Sequence, residues 1–232
     1  MTLYLLPNVL GQVKDHRVFL PESVAEAMAN IDGLIAESEG EGRRYLKRFT
    51  LKKKPHEMPI SLLTSKKQEL SFLLEPLLKG ETWGVVSDCG LPCLADPGAA
   101  LVRKAHALRI PVHAFSGPSS ITHALMLSGL SGQAFTFHGY PPKEPEGRAF
   151  ALRSWESVRG MTHIFIEAPY RNQHTLAACI GQLLDSTLLC VATELTMPGQ
   201  FICTQPVSAW RSSQLPDIAK RPTIFLFSSH SR

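Results

Sequence analysis

The sequence predicts an α/β protein of two domains, and three observations support that prediction. Short runs rich in β-branched and aromatic residues alternate with longer segments of helical spacing, as is typical of α/β folds. The chain has 232 residues and is 44% hydrophobic, so it can bury a sizeable core in one large domain or two small ones. Strands follow one another more closely in the second half. We therefore expect an N-terminal α/β domain over residues 1–114 with a mainly parallel sheet, and a C-terminal α/β domain over residues 115–232 with a mixed sheet.

In the first domain, residues that end strands or begin helices bound the predicted elements. Pro7 and the turn around Gly11 end the first strand, and Pro21 occupies a permitted first-turn position of the first helix. Gly80 ends the third helix. Segment 50–59 is polar, basic and interrupted by two prolines, so we expect a mobile loop. The predicted strands are Leu3–Leu6, Gly33–Ala36, Trp83–Val86 and Ile110–Phe115, and the predicted helices are Pro21–Ala29, a segment that carries Arg43–Phe49, Lys67–Leu78 and Ala99–Leu108.

The second domain begins with a helix that follows a Ser- and Gly-containing turn. A Pro- and Gly-rich stretch over 139–147 then introduces a further helix that ends near Val158. A third helix is expected over Arg171–Leu184. The predicted strands are Ala134–His138, His163–Ile166, Leu188–Ala192, Phe201–Pro206 and Thr223–Phe227.

Composition excludes several classes of protein. With 19% charged residues and a large apolar fraction, the chain is neither disordered, collagen-like nor a coiled coil. No run approaches 18 apolar residues, and the N-terminus lacks the basic segment and cleavage site of a signal peptide. Three residues separate Cys89 from Cys93, which is not the spacing of a zinc pair. We therefore expect a soluble cytoplasmic protein with reduced thiols, without a metal and without a membrane contact.

Positive charge is concentrated in one segment of the chain. The formal net charge is +4, but the window from Arg43 to Lys67 carries +8, so the rest of the chain carries −4. A run of lysines is typical of a solvated loop, whereas this concentration favours a polyanionic partner. The basic residues of the window are Arg43, Arg44, Lys47, Arg48, Lys52, Lys53, Lys54, Lys66 and Lys67.

Candidate binding residues follow the predicted strands, because ligands of open α/β sheets bind beyond the carboxyl ends of strands. The loop over 87–98 combines two carboxylates, two glycines and two prolines directly after a strand. Glycines allow close approach of the backbone, and carboxylates accept hydrogen bonds or face a cation. Two interpretations stay open: a ligand-binding loop, or a complex turn in which Asp96 caps the next helix.

Two further turns carry similar chemistry. The turn over 116–120 could bind a carboxylate or a hydroxylated ligand at a helix start, although N-capping by Ser119 explains it nearly as well. After the strand that ends at Ile166, Glu167 would be buried and would need a partner, for which Arg171 is the candidate. The sequence contains no P-loop and no G-x-S-x-G or H-E-x-x-H motif.

Four motifs in order resemble one enzyme family. They are S-D-C-G-L-P-C-L-A-D-P-G, F-S-G-P-S-S-I-T-H-A-L-M-L-S-G-L, F-H-G-Y-P-P and I-F-I-E-A-P-Y-R. Together they resemble the class III S-adenosylmethionine-dependent methyltransferases, the proteins of the tetrapyrrole methylase fold. Their order and spacing are most similar to those of the 16S ribosomal RNA cytidine-2′-O-methyltransferase branch, and the resemblance covers nearly the whole chain.

The resemblance implies a homodimer of two-domain, tetrapyrrole methylase-like subunits that bind S-adenosylmethionine in the cleft between the domains. Backbone amides, hydroxyls and carboxylates suit the carboxylate, ammonium, ribose and sulfonium groups of this cofactor. By matching position, the implied cofactor-binding residues are Pro7, Ser87, Asp88, Gly90, Pro92, Asp96, Gly117, Pro118, Ser119, Ser120, Glu167, Ala168, Pro222 and Thr223.

Three segments depart from the family pattern. Ala36-Glu37-Ser38-Glu39-Gly40 replaces A-E-D-T-R, so the Glu is kept whereas the Asp and Arg are lost. Leu91 replaces the Thr of S-D-A-G-T-P, and Met197 replaces the Lys of E-L-T-K. The motifs that face the cofactor are therefore better kept than those expected to face the acceptor.

The expected reaction is methyl transfer to a ribose 2′-hydroxyl of ribosomal RNA in the small ribosomal subunit. Positioning can supply roughly 7–11 kcal/mol of such a barrier, and Glu37 is our candidate base for the hydroxyl. The candidate RNA-binding residues are Arg43, Arg44, Lys47, Arg48, Lys52, Lys53, Lys54 and Arg171. Two alternatives stay open: methylation of a tetrapyrrole or another small molecule, and a catalytically inactive cofactor-binding module.

Overall fold

A computed structural model describes residues 1–63 and 69–229 of the chain. The chain consists of two compact units, Met1–Ser119 and Ser120–Arg232. The boundary expected from the sequence lies after residue 114.

The first unit is a five-stranded sheet whose strands are all parallel, as the sequence predicts. The strand order is β3-β2-β4-β1-β5, so the first strand of the chain lies inside the sheet. The elements of this unit are β1 (Thr2–Leu6), α1 (Glu22–Met28), β2 (Gly33–Ala36), α2 (Glu39–Leu46), β3 (Ile60–Leu62), α3 (Glu69–Leu78), β4 (Thr82–Val86), α4 (Ala99–Ala107) and β5 (Val112–Ala114).

The central strands of the first unit's sheet are buried on both faces. All four residues of β2 are buried, which explains why this strand is a continuous apolar run instead of an alternating one. Leu34 packs in a cluster with Tyr45 of α2, whereas Ile35 packs in another cluster with Leu74 of α3. Successive side chains of a strand point to opposite faces, so helices cover both sides.

The second unit contains a mixed sheet of order β6-β7-β10-β8-β9, which confirms the predicted sheet type. The pair β6 and β7 is parallel, and the other three neighbouring pairs are antiparallel. The elements are α5 (Ser120–Ser128), β6 (Phe135–Phe137), α6 (Pro145–Ser157), β7 (Thr162–Ile166), α7 (Asn172–Gln182), β8 (Leu188–Thr193), β9 (Phe201–Pro206), α8 (Val207–Ser212) and β10 (Thr223–Ser228).

The core of the second unit lies between its sheet and two helices. Phe165 of β7 and Phe225 of β10 stack with ring centroids 5.1 Å apart, and Leu152 of α6 and Leu176 of α7 pack in the same cluster. Trp210 of α8 is buried in this cluster as well, and its indole N–H donates to the backbone of β8.

Two elements are absent from the sequence-based prediction, and a third has different limits. Strand β3 has only three residues, and α8 begins directly after β9, in a segment for which the sequence predicted no element. Helix α2 begins at Glu39 and ends at Leu46, earlier than the segment 43–49 that we expected to be helical. Lys66 and Lys67, and the start of the helix predicted at Lys67, lie outside the described residues.

Among the described residues, none of the helices combines the length and the apolar character that crossing a bilayer requires.

Candidate functional site

Three neighbouring strands of the first unit end at one edge of the sheet. Leu6 of β1 and Ala36 of β2 are both register partners of Val86 of β4. The residues that follow these three strands therefore meet at the carboxyl edge of a parallel sheet, where open α/β proteins bind ligands.

Asn8 connects two of these strand ends. Its side chain is buried, and its Nδ2 donates to the carbonyls of Ser87 at 3.0 Å and Asp88 at 2.9 Å. Its backbone N–H donates to the carbonyl of Gly90 at 2.7 Å. Asn8 thus fixes the start of the loop over 87–98. Sequence reasoning missed it, although a polar amide directly after the strand-ending Pro7 was the available signal.

Three carboxylates occupy this edge. Glu37 Oε2 accepts a hydrogen bond from the backbone N–H of Asp88 at 2.9 Å, and Asp88 Oδ1 accepts one from Ser38 Oγ at 2.9 Å. Burial, together with the charges of Glu37 and Asp88, raises the pKa of Asp96 to about 6, although a hydrogen bond with Ser87 opposes the shift. The negative charges that raise the pKa of Asp96 also attract other cations.

The turn over 116–118 packs against the first strand end. A Cβ added at Gly117 would lie 2.1 Å from Pro7 Cβ, so only glycine permits this approach. A Cβ at Gly90, whose φ is +72°, would lie 3.8 Å from the carbonyl oxygen of Pro118. The structure therefore brings Pro7, Gly90, Gly117 and Pro118 together.

The loop over 87–98 has a strained backbone. Cys93 and Ala95 both have φ of 68°, a left-handed conformation that non-glycine residues rarely adopt. Gly98 is the N-cap residue of α4, and no side chain caps that helix, so the alternative interpretation of Asp96 as a helix cap is wrong. Strain of this kind concentrates at ligand sites and costs of order 1–3 kcal/mol per residue.

A second polar cluster lies at one edge of the second unit's sheet. Glu167 follows β7, and its Oε1 accepts hydrogen bonds from Arg171 Nε at 2.9 Å and from the backbone N–H of Ala168 at 2.7 Å. The partner expected for a buried glutamate is therefore present. Burial alone would raise the pKa of Glu167, but the hydrogen bonds of Arg171 and Ala168 outweigh it and lower the pKa.

The same edge holds the residues that flank β8 and β10. Arg221 Nη2 pairs with Glu194 Oε2 at 2.7 Å and donates to the carbonyl of Gly199 at 2.6 Å. The hydroxyls of Thr193 and Thr223 lie 3.1 Å apart. Glu194 itself has a φ of 50°, so this edge also carries backbone strain.

Asn172, at the first position of α7, was also missed from the sequence. Its Nδ2 donates to the carbonyl of Arg221 at 2.6 Å, whereas its buried Oδ1 has no hydrogen-bond partner among the described residues. Buried acceptors without partners are uncommon in native proteins.

Two arginines of the basic window hold the fold. Arg43 Nη1 donates to the carbonyls of Pro55 at 2.9 Å and Met58 at 2.6 Å. Arg48 Nη1 donates to Asn8 Oδ1. The Arg43 guanidinium is therefore committed to the segment 55–58, whereas Arg48 is tied to Asn8 by one of its N–H groups.

The other basic residues are more exposed. Arg44 pairs with Glu41, and Lys52 pairs with Asp32 at 3.2 Å. Lys47, Lys53 and Lys54 are exposed to solvent. Arg171, the remaining candidate for RNA contact, belongs to the second unit and is held by Glu167.

Several curated proteins are similar in sequence to this chain over most of its length. No protein-family model matches the chain. It is 30% identical over 201 residues to the ribosomal RNA small subunit methyltransferase I of Xylella fastidiosa, an alignment that covers 84% of this chain and 68% of that protein. The protein of the same name from Vibrio cholerae is 27% identical over 206 residues, covering 89% and 69%. The one from Escherichia coli O157:H7 is 28% identical over 211 residues, covering 90% and 71%.

Solved structures share the fold. The methyltransferase CobJ superposes with a TM-score of 0.66 at 16% identity and covers 98% of this chain and 94% of its own. Uroporphyrin-III-C-methyltransferase from Thermus thermophilus gives 0.59 at 14% identity and covers 98% and 94%. At these identities the likeness concerns the fold, and it confirms the tetrapyrrole methylase-like architecture. The chain belongs to the family of ribosomal RNA small subunit methyltransferase I.

Proposed function

We propose that this protein transfers a methyl group from S-adenosylmethionine to a ribose 2′-hydroxyl of ribosomal RNA in the small ribosomal subunit. The observation that carries the proposal is the carboxylate cluster of Glu37, Asp88 and Asp96 at the strand ends of a chain related to rRNA methyltransferases. The RNA acceptor comes from the names of those relatives, and the ribose hydroxyl comes from the motif resemblance. The positive charge of the window over 43–54 supports a polyanionic substrate.

The residues present fit the cofactor. S-adenosylmethionine carries an ammonium and a sulfonium cation. The raised pKa of Asp96 indicates that the electrostatic potential around it is negative, which favours such cations. The close approach of Gly117 to Pro7 requires a residue without a side chain at this one position of the turn over 116–118. In the second unit, Glu167, Ala168, Pro222 and Thr223 supply further polar groups.

In this proposal the cofactor supplies an activated methyl group, so the chain's own residues mainly bind and orient. Asp96 neutralises positive charge, while Asn8 keeps the loop over 87–98, including Asp88, in place. Glu37 lies at the same edge and is the proposed acceptor of the hydroxyl proton. Alignment of the acceptor oxygen with the methyl group accounts for most of the rate.

The remaining cofactor residues belong to the same proposal. Ser87 contributes a hydroxyl that bonds to Asp96, and Pro92 stiffens the loop. Ser119 and Ser120 contribute hydroxyls at the start of α5. We also propose a homodimer and a cytoplasmic location, as expected for an enzyme of this class that acts on ribosomal RNA.

The test is transfer of a tritiated methyl group from S-adenosylmethionine to 30S subunits and to naked ribosomal RNA, both from cells that lack the protein. We expect label in RNA, and nuclease mapping should assign it to a 2′-O-methylated nucleotide. RNA from cells that contain the protein is the matched control, because its site is already occupied by a methyl group.

Other outcomes would point to the alternatives. Label in a tetrapyrrole or another small acceptor but not in RNA would refute the rRNA assignment. Cofactor binding by calorimetry without methyl transfer to any acceptor would indicate an inactive binding module.

A further inference from the structure

A cavity of about 260 Å³ in the first unit lies beside the carboxylate cluster. Its walls come from the turn after β1, from α2 and from the loop after β4, and its lining residues include Gly11, Gln12, Glu41, Arg44, Arg48 and Asp88. Pockets that hold drug-sized ligands have volumes of roughly 300–1,000 Å³. This cavity is therefore too small for a tetrapyrrole and suits a group of the size of a sugar phosphate.

Four charged residues line the cavity, and two of them, Arg48 and Asp88, take no part in the ion pair between the other two. Arg44 and Glu41 neutralise each other. Arg48 pairs with no carboxylate among the described residues, and its one hydrogen bond there goes to the neutral amide of Asn8. Asp88 is held by Ser38 through one oxygen. The wall thus offers one cation and one carboxylate acceptor.

The guanidinium of Arg48 is partly withdrawn from water. Burial lowers its pKa, and its charge also contributes to the lowered pKa of His16. The carboxylate of Glu41, which is paired with Arg44, acts on the charge of Arg48 only from a distance, and the guanidinium of Arg48 lies over the ring of Tyr45. A half-buried guanidinium without a direct ion pair is unfavourable, and it has five N–H donors to offer. Phosphate oxygens match such a fork of donors.

We infer that this cavity binds the ribose-phosphate part of the acceptor nucleotide, with Arg48 holding a phosphate and Asp88 accepting a hydrogen bond from a ribose hydroxyl. The inference rests on the proposed function and deepens it, since it assigns the acceptor to a site in the first unit. Arg48 would then join the nucleotide to Asn8, and through Asn8 to the loop over 87–98.

The test uses the whole protein and a charge change at the rim. Gln12 is exposed, so Gln12→Glu adds a carboxylate at the wall with little change of volume. Gln133→Glu is the matched control, because Gln133 is exposed and lies in the second unit. The probes are cytidine 5′-monophosphate, observed by the amide chemical shifts of the cavity residues, and cytidine, which lacks the phosphate.

We expect cytidine 5′-monophosphate to shift the amide signals of Gln12, Arg44 and Arg48, and cytidine to do so more weakly. Gln12→Glu should weaken nucleotide binding, and raise the KM for 30S subunits, about fivefold, as expected for one added charge near a phosphate at a solvated site. Gln12→Glu should leave the affinity for S-adenosylmethionine unchanged. Gln133→Glu should leave both nucleotide binding and the KM for 30S subunits unchanged.

Two results would overturn the inference. In one, the nucleotide shifts no amide of the cavity. In the other, Gln12→Glu weakens S-adenosylmethionine binding and leaves the nucleotide unaffected, which would assign the cavity to the cofactor. If nucleotide binding occurs at the cavity while the wild-type protein methylates no RNA, the proposed function fails and the ligand class of the cavity is supported.

Discussion

Single polar side chains hold distant segments of this protein by bonding to backbone carbonyls. Asn8 bonds to Ser87 and Asp88, and Arg43 bonds to the segment 55–58. Arg211 likewise donates to the carbonyl of Ile180 at 3.0 Å. Such bonds satisfy loop carbonyls that no regular element can satisfy. They explain how loops rich in proline and glycine keep one conformation beside the candidate sites.

Glu167→Gln should destabilise the second unit at neutral pH. The folded state lowers the pKa of Glu167, so its contribution to stability is present above the usual glutamate pKa and is lost as the pH falls through the folded value. We expect the thermal midpoint to fall by about 3 °C or more at pH 7, and the difference from wild type to shrink at pH 4.

The control for this substitution is Glu26→Gln, since Glu26 is an exposed residue of α1. Scanning calorimetry at both pH values would measure the midpoints. If Glu167→Gln lowered the thermal midpoint equally at pH 7 and pH 4, the charge of Glu167 would contribute nothing to stability.

Asp96→Asn should have the opposite effect on the free protein. The folded state raises the pKa of Asp96 to about 6, so the folded state binds a proton more tightly than the unfolded chain does. Stability from this group therefore falls as the pH rises from about 4 to about 6. We expect Asp96→Asn to raise the thermal midpoint at pH 7, with little effect at pH 4.

Cofactor binding should respond to the same substitution in the other direction. Calorimetry should show weaker binding of S-adenosylmethionine by Asp96→Asn at pH 7, and weaker binding by the wild type below pH 6. Tighter binding by the variant would exclude Asp96 as a group that faces the cation.

At the scale of elements, helix α2 carries two glycines in different environments. A Cβ at Gly40 would meet nothing within 4 Å, whereas one at Gly42 would lie 2.9 Å from Ala36 Cβ and 3.3 Å from Ile60 Cδ1. Gly40→Ala should stabilise the protein by about 0.5–1 kcal/mol through helix propensity. Gly42→Ala should destabilise it by roughly 1–3 kcal/mol, because α2 must move away from the sheet.

Urea unfolding of both variants would measure these changes, and each variant serves as the control for the other. Equal effects at the two positions would contradict the packing of α2 against β2 and β3.

Sequence patterns predicted most elements, because strands buried on both faces are continuous apolar runs and helices begin or end at Pro and Gly. The limits of β2 and β9 agree with the prediction. Strand β3 was not predictable in this way, because it owes its conformation to pairing with β2. The left-handed conformations of Cys93 and Ala95 could not be predicted from the sequence either, since they depend on the packing of the whole loop.

The candidate site was predictable in outline. Strand ends with unusual turn residues pointed to Asp88, Gly117 and Glu167 from local sequence alone, whereas Pro7 became a candidate only through the family resemblance. Asn8 and similar residues act through contacts with segments far along the chain, and no local pattern encodes those contacts.

At the scale of the whole molecule, the basic window divides into cations that hold the fold and cations that face solvent. Lys53→Gln with Lys54→Gln should weaken RNA binding and reduce the dependence of log K on log salt by about 0.7–0.9 for each phosphate that the variant no longer neutralises. Arg103→Gln with Lys104→Gln, two exposed cations of α4, is the matched control.

Filter binding to naked ribosomal RNA over a salt series would measure both slopes. A slope that is equal for the lysine variant, the α4 variant and the wild type would show that Lys53 and Lys54 contact no phosphate.

The strand order of the second unit constrains its assembly during synthesis. Strand β10 is the last strand of the unit along the chain, yet it pairs with β7 on one side and β8 on the other. A nascent chain that lacks residues 223–228 therefore leaves both neighbours with an open edge, which is prone to aggregation. The first unit has all of its strands by Ala114 and can fold early. The second unit can acquire its central strand only after all of its other strands have been synthesised.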